Sequence, residues 1–428
     1  MPAQTPASVK KPGWSRVVAL CLAAVAAAFG VAALAGPLDP PPGPVTSTYK
    51  TLTEVEPRTV INAANTPGDA DSVFKITQEG SYYLAGNVAG LVGKRGIEVA
   101  ATRVTIDLNG FAVVGVAGSL DGIVSTGSSP QVRIRNGSVS LWGGSGIDIG
   151  DVLGSGVLEG VTSTSNGGAG IRVASGFALQ NCTARSNGGT GIETGIHCQL
   201  LNCAALFNNL DGINASSGST LSNCSVSNNE RNGFVLGAGC VATNCTGLSS
   251  GLFAFSTSQG CTLTGCAAWN NFGGGFSLGV SNTIVNCTAH VNVGIGISAS
   301  GGSSVIGCTV TSSALDGIVV SSDCTVRDNS CDSNGTGAGG GAGIRATGSD
   351  NRIEGNRCTD ADRGIEVTGT GNIIVRNSCS GNGSNWEIAA SNTYGPIINR
   401  VGLVTPAVSG DAAAEAIGST HPNANFSY

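Results

Sequence analysis

Seven cysteines stand 21 residues apart without a break: Cys182, Cys203, Cys224, Cys245, Cys266, Cys287 and Cys308. The column continues as Asn329, Asn356 and Asn377, and backwards as Val161, Gly137 and Asn109. Three residues before each position lies an apolar side chain, among them Ile106, Leu158, Leu200, Leu263, Ile284, Val326 and Ile374. Five residues after it lies mostly Asn: Asn166, Asn187, Asn208, Asn229, Asn271, Asn292, Asn334 and Asn382, with Ser250 and Ser313 standing in twice. A fixed short period of this kind marks a solenoid, because one repeat cannot bury its apolar face alone and must stack on the next.

The spacing inside the repeat selects the element. Apolar residues sit two apart, as in Ile365 and Val367, or singly between hydroxyl residues, as Leu263 between Thr262 and Thr264. That is strand alternation. Segments of three to five residues separated by Gly or Asn are too short to pair locally, but each can pair with the same segment one repeat on, about 4.8 Å away. A second marker, glycine before an apolar residue, recurs at Gly96, Gly122, Gly146, Gly170, Gly191, Gly212, Gly233, Gly251, Gly275, Gly296, Gly317, Gly343 and Gly364. The sequence therefore predicts an all-β parallel solenoid of about 13 rungs. Leucine-rich repeats would need Leu-x-x-Leu-x-Leu blocks and a helical return, and propeller blades about 40 residues each.

The unit Asn351-Arg-Ile-Glu-Gly-Asn356-Arg-Cys358, followed by Arg363-Gly-Ile-Glu-Val367, resembles the repeat of the pectate-lyase-like superfamily, as does the opening Ile106-Asp-Leu-Asn-Gly-Phe111. The resemblance implies a right-handed parallel β-helix of the exported bacterial type. It does not imply one activity, since that superfamily includes lyases, hydrolases, epimerases and non-enzymatic proteins.

The solenoid is expected over residues 95–385, with caps at 49–94 and 386–428 to cover the open ends. Ahead of it, Lys10, Lys11 and Arg16 precede an uninterrupted apolar run from Val17 to Ala35. This is the layout of an export signal over residues 1–35, either cleaved before Gly36 or retained as a membrane anchor. Residues 36–48 form a Pro-rich linker. The expected location is outside the cytoplasm.

Charged residues make up only 11% of the 428 residues, net charge is −6, and no Lys follows Lys94. A nucleic-acid footprint is thereby absent, and no oligomeric state is implied. Of the 15 cysteines, Cys21 falls in the apolar run; the other 14 form three columns. A buried apolar ladder is the first reading, and disulfides between rungs the second. A zinc site would need four converging ligands, which a linear column does not supply, so no metal or cofactor is expected.

Sugar-cleaving members of the superfamily gather carboxylates in an outer groove. Here no Asp-Asp pair is present, and His197, His290 and His421 are far apart. The candidate ligand-binding residues are one outward charge column, two residues after the repeat glycine, that holds Asp148, Arg172 and Glu193 and later Arg345 and Glu366, together with the indoles of Trp142 and Trp269. A second charge group spans Asp350 to Arg363. Alternating signs on adjacent rungs also fit surface ion-pair ladders, worth about 0–1 kcal/mol each. The expectation is an exported, non-enzymatic module that meets a polysaccharide or cell-envelope component. The alternative is a polysaccharide lyase, which would recruit Ca2+ beside an Arg base.

Overall fold

A computed structural model describes residues 56–127, 131–150, 154–335, 340–399 and 421–428. The expected signal and linker lie outside these residues. Every element in the described residues is a strand, and each ladder between strands is parallel, with like residues in register: Leu179 on Leu200 on Leu221, for example. The fold is an all-β parallel solenoid.

One sheet holds fifteen strands, from Ser72–Ile76 to Ser384–Ile388. That is two more than the glycine count of thirteen, because these two outermost strands also join: Phe74 pairs with Ile97 and Trp386 with Ile365. Gly80–Tyr83 likewise pairs with Arg103–Asp107, so residues from the expected N-terminal cap carry the ladders on. At the other end Asn425–Ser427 pairs with both Ser378–Cys379 and Ile397–Asn399. One glycine assignment changes. The register of Phe234 on Phe255 puts Ala254, not Gly251, in line with Gly233 and Gly275.

Each central rung turns at three corners, and the same device makes them all. At Gly176, Asn181 and Ser186 the backbone enters the left-handed region, and the pattern recurs on the rungs above, as at His197, Asn202 and Phe207. Asn and Gly accept this conformation most readily. The residue after the corner turns inward. After the corner at Asn181 and its successors comes the cysteine column; after Ser186 and its successors comes the asparagine ladder.

The ladder is continuous where Asn is continuous. Nδ2 of Asn166, Asn187 and Asn208 donates to Oδ1 of the next Asn at 3.0, 3.0 and 2.9 Å. The same oxygens accept the backbone N–H of the preceding rung, at 3.1 Å for Asn166 and Asn187. Ser250 and Ser313 are too short to reach, and their buried hydroxyls have no partner.

All 14 described cysteines are buried free thiols. The substitution of Asn for Cys along the column has a chemical basis. Cys182, Cys203 and Cys224 point their thiols at the carbonyls of Leu158, Leu179 and Leu200, at 3.5–3.6 Å. Asn329 and Asn356 donate to the carbonyls of Val305 and Val326 in the same row, at 2.9 Å. Both side chains satisfy an inward carbonyl at a bend, Cys weakly and Asn strongly. Phe234, Phe255 and Phe276 stack face to face in the core, with centroids 4.6 and 4.9 Å apart.

Candidate functional site

The outer wall carries whatever this rod presents to a partner. At the start of the charge column Asp148, Arg172 and Glu193 are in register on successive strands. Asp148 Oδ2 meets Arg172 at 3.2 Å, while its Oδ1 accepts the backbone N–H of Gly150 at 3.0 Å. Further along the same column Arg345 Nε donates to Glu366 Oε2 at 2.7 Å. The guanidinium of Arg345 also reaches Asp316 at 3.1 Å, and Arg363 Nε reaches Glu366 at 3.1 Å. Asp316 is buried, and burial pushes its carboxyl above the usual range against the hydrogen bond from Ala342 N and the nearby Arg345. These groups neutralise one another within the wall. Among the described residues no three His, Cys, Asp or Glu side chains converge on a point where an ion could sit.

The two indoles part company. Trp142 is 1% exposed and its Nε1 donates to the Val113 carbonyl at 3.1 Å; it is core, not a sugar platform. The reason lies on neighbouring rungs. A Cβ at Gly90, Gly96 or Gly122 would come within 2.9 Å of the indole, so these glycines open the space it fills. Trp269 is 51% exposed. It ends the strand Ala267–Trp269, between Leu248 and His290 on the adjoining rungs. Phe272, 65% exposed, follows just past the corner at Asn270. The outward columns around it carry no ionisable carboxylate or cationic Lys/Arg over six rungs: Ala204, Ser225, Thr246, Ala267, Thr288 and Thr309 in one, Leu206, Ser227, Leu248, Trp269, His290 and Thr311 in the other. His290 Nδ1 and the Thr311 hydroxyl are 2.6 Å apart.

A groove that the sequence columns did not expose crosses the wall near the other end. It encloses about 610 Å³ and is lined by Glu79, Arg103, Gln131, Arg133 and Val157 among others. Glu79 accepts from Thr102 at 2.6 Å and from Arg103 at 2.5 Å. Beside it Asp107 is clamped by Arg58 at 3.1 Å and Arg135 at 3.0 Å. Here the rungs are 24 to 28 residues long, as Arg103 on Gln131 and Gln131 on Ser155 show. A search at fixed period therefore leaves these side chains unaligned.

The family model described as right handed beta helix region matches residues 95–246 and 237–331. Solved structures of similar fold include the Siphovirus 9NA tailspike receptor binding domain, at 10% identity and a TM-score of 0.50, over 86% of this chain and 77% of that one. The A-module of the Azotobacter vinelandii mannuronan C-5 epimerase AlgE4 matches at 16% identity and a TM-score of 0.44, over 74% of this chain and 91% of that one. The pectate lyase Pel9A matches at 16% identity and a TM-score of 0.35, over 60% and 72%. No curated protein sequence matches the chain.

Proposed function

From the premise that the chain belongs to the right-handed β-helix family, we propose that it is an exported polysaccharide-binding rod that holds a glycan on its outer wall without cleaving it. The observation that carries this reading is the exposed indole of Trp269, set beside Phe272 and flanked by two strand columns that carry no Lys, Arg, Asp or Glu over six rungs. A sugar ring presents an apolar C–H face and a polar rim. An indole stacks on the first, and the hydroxyls of Thr246, Thr288 and Thr309 are spaced along the rod to meet the second. The uncharged strand columns favour a neutral glycan over a polyuronate, because an anionic polymer lying along them would lose hydration and gain no cation in return.

The charge column supports binding rather than turnover. A catalytic carboxylate must reach the reacting atoms with its proton or lone pair free, whereas Glu366 is held by Arg345 and Arg363. Export is supported by the basic stretch and apolar run before Gly36.

The test is retention on immobilised neutral polysaccharides and on polyuronates, with product analysis in the same incubations. Binding to a neutral glycan, weakened about fivefold to tenfold by Trp269→Ala, is expected, since a stacked aromatic contributes about 1–1.5 kcal/mol. New reducing ends or unsaturated products that disappear in Glu366→Gln would overturn the non-enzymatic reading. Unchanged binding in Trp269→Ala would overturn the site.

A further inference from the structure

The glycan reading leaves the cysteines unused. Seven free thiols follow one another on successive rungs from Cys182 to Cys308, all buried. Two shorter stacks repeat the arrangement: Cys240 with Cys261, and Cys331, Cys358 and Cys379 in direct register. Their thiols face backbone carbonyls, Cys203 that of Leu179 and Cys224 that of Leu200, so no thiol is tied up in a covalent bridge. Cys198 and Cys324 stand alone, with Ser219 next to the first and Asn351 next to the second.

We propose that the stacked cysteines bind soft monovalent cations of the Cu(I) class, each ion held in two-coordinate fashion between the sulfurs of neighbouring rungs. Three physical points carry this. The first is distance. Equivalent atoms on neighbouring rungs are about 4.8 Å apart, and two metal–sulfur bonds of about 2.3 Å placed end to end span about 4.6 Å. A disulfide would need the sulfurs drawn to about 2.05 Å from side chains that run parallel. The second is coordination number. No three ligand groups converge among the described residues, so ions that demand four ligands find no site, while a d10 ion content with two sulfurs does. Soft thiolate ligands select that class.

The third point is charge. On binding, one thiol of a pair loses its proton to solvent and the second stays protonated, ligating through a sulfur lone pair. One S–H bond breaks and two metal–sulfur bonds form, with no change of oxidation state. Cation and thiolate cancel, so no net charge is buried in the apolar interior. Backbone N–H groups already point at these sulfurs, as Cys266 N does at Cys287 Sγ, 3.3 Å away, and would stabilise the thiolate. The ions reach the column through its corners. Each thiol of the long column follows a left-handed corner residue, such as the exposed Asn202 or Asn223, so loading is slow in the folded rod and fast during refolding.

The probe is Ag(I), which binds as Cu(I) does and does not oxidise thiols. The full chain is incubated with Ag(I), and in parallel refolded from denaturant with it; retained metal is counted by mass spectrometry after gel filtration. The three stacks predict about five ions per chain, three in the long column and one in each short one. Cys203→Ala with Cys245→Ala and Cys287→Ala removes every adjacent pair from the long column and lowers the count to about two. Cys245→Ala alone, a milder change whose fold is checked by circular dichroism, lowers it to about four, because two runs of three remain. Cys198→Ser with Cys324→Ser leaves it unchanged. Fewer than one ion per chain by both loading routes overturns the proposal. So does a count indifferent to the triple substitution, or a purified chain whose stacked cysteines titrate as disulfides. None of these outcomes depends on whether the outer wall binds glycan.

Discussion

Asn208 shows how a single side chain holds two rungs. Its Oδ1 accepts from the backbone N and the side-chain Nδ2 of Asn187, and its Nδ2 donates to the Ala184 carbonyl and to Asn229 Oδ1. Asn208→Ala orphans the buried backbone N–H of Asn187, while its side-chain amide keeps only the Ser163 carbonyl, and the expected cost is about 2–4 kcal/mol in urea unfolding. Ser250→Asn should do the opposite. It bridges Asn229 to Asn271 and removes an unpartnered hydroxyl, raising stability by about 1 kcal/mol. A second pair of residues is coupled by volume. Where other rungs have Gly on the inward line, one has Ala254, and a Cβ on Gly247 would lie 2.7 Å from the Ala254 Cβ. Gly247→Ala alone should destabilise. Combined with Ala254→Gly it should recover, with a coupling of about 1–3 kcal/mol in a double-mutant cycle. The ladder and the cysteine columns were legible in the sequence because like stacks on like at constant spacing. The burial of Trp142 was not, because it depends on Gly90, Gly96 and Gly122, which belong to other rungs of unequal length.

At the scale of the element, the first strands are held by buried carboxylates whose charged form is favoured. Glu98, on Arg95–Val99, would be raised by burial, but hydrogen bonds from Ser72, Lys75 and Thr126 outweigh that and keep its carboxyl low. Asp107, on Arg103–Asp107, is likewise kept low against burial by Asn109 N, Asn136 and Arg135. A lowered folded pKa lends stability that is complete above the unfolded values of 4.5 and 3.8 and is lost as pH falls through the folded ones. Asp316 has the opposite sign. Its raised carboxyl lends stability at low pH that fades as pH rises through its folded value. Acid should therefore loosen the rod from its N-terminal strands. Hydrogen-exchange protection factors at pH 3 and pH 6 should show residues 72–107 losing more protection than residues 316–346. Equal loss in both segments would contradict the assignment, and Glu98→Gln should flatten the difference. The sequence announced these strands only faintly, because their rungs exceed the 21-residue period. Likewise the groove by Arg103 and Arg133 follows from register, which the uneven loops conceal.

Taken whole, the molecule is a pile of interchangeable turns, and its three left-handed corners decide where one turn may be cut from the next. Removing Ala204–Cys224, 21 residues, joins Cys203 to Ser225. Every column then closes over the gap, with Cys203 beneath Cys245 and Asn187 beneath Asn229. The chain should fold to a rod about 4.8 Å shorter, with a cooperative melt. Removing one residue fewer, Ala204–Asn223, puts Cys224 after Cys203 and leaves a surplus residue that must bulge at that corner and orphan a buried carbonyl; that chain should melt at a lower temperature than the 21-residue deletion, as measured by circular dichroism. The corners thus make length a counted quantity. A gene for such a protein can gain or lose reach in whole steps, by duplication or deletion of one repeat, and each viable descendant differs from its parent by an integer.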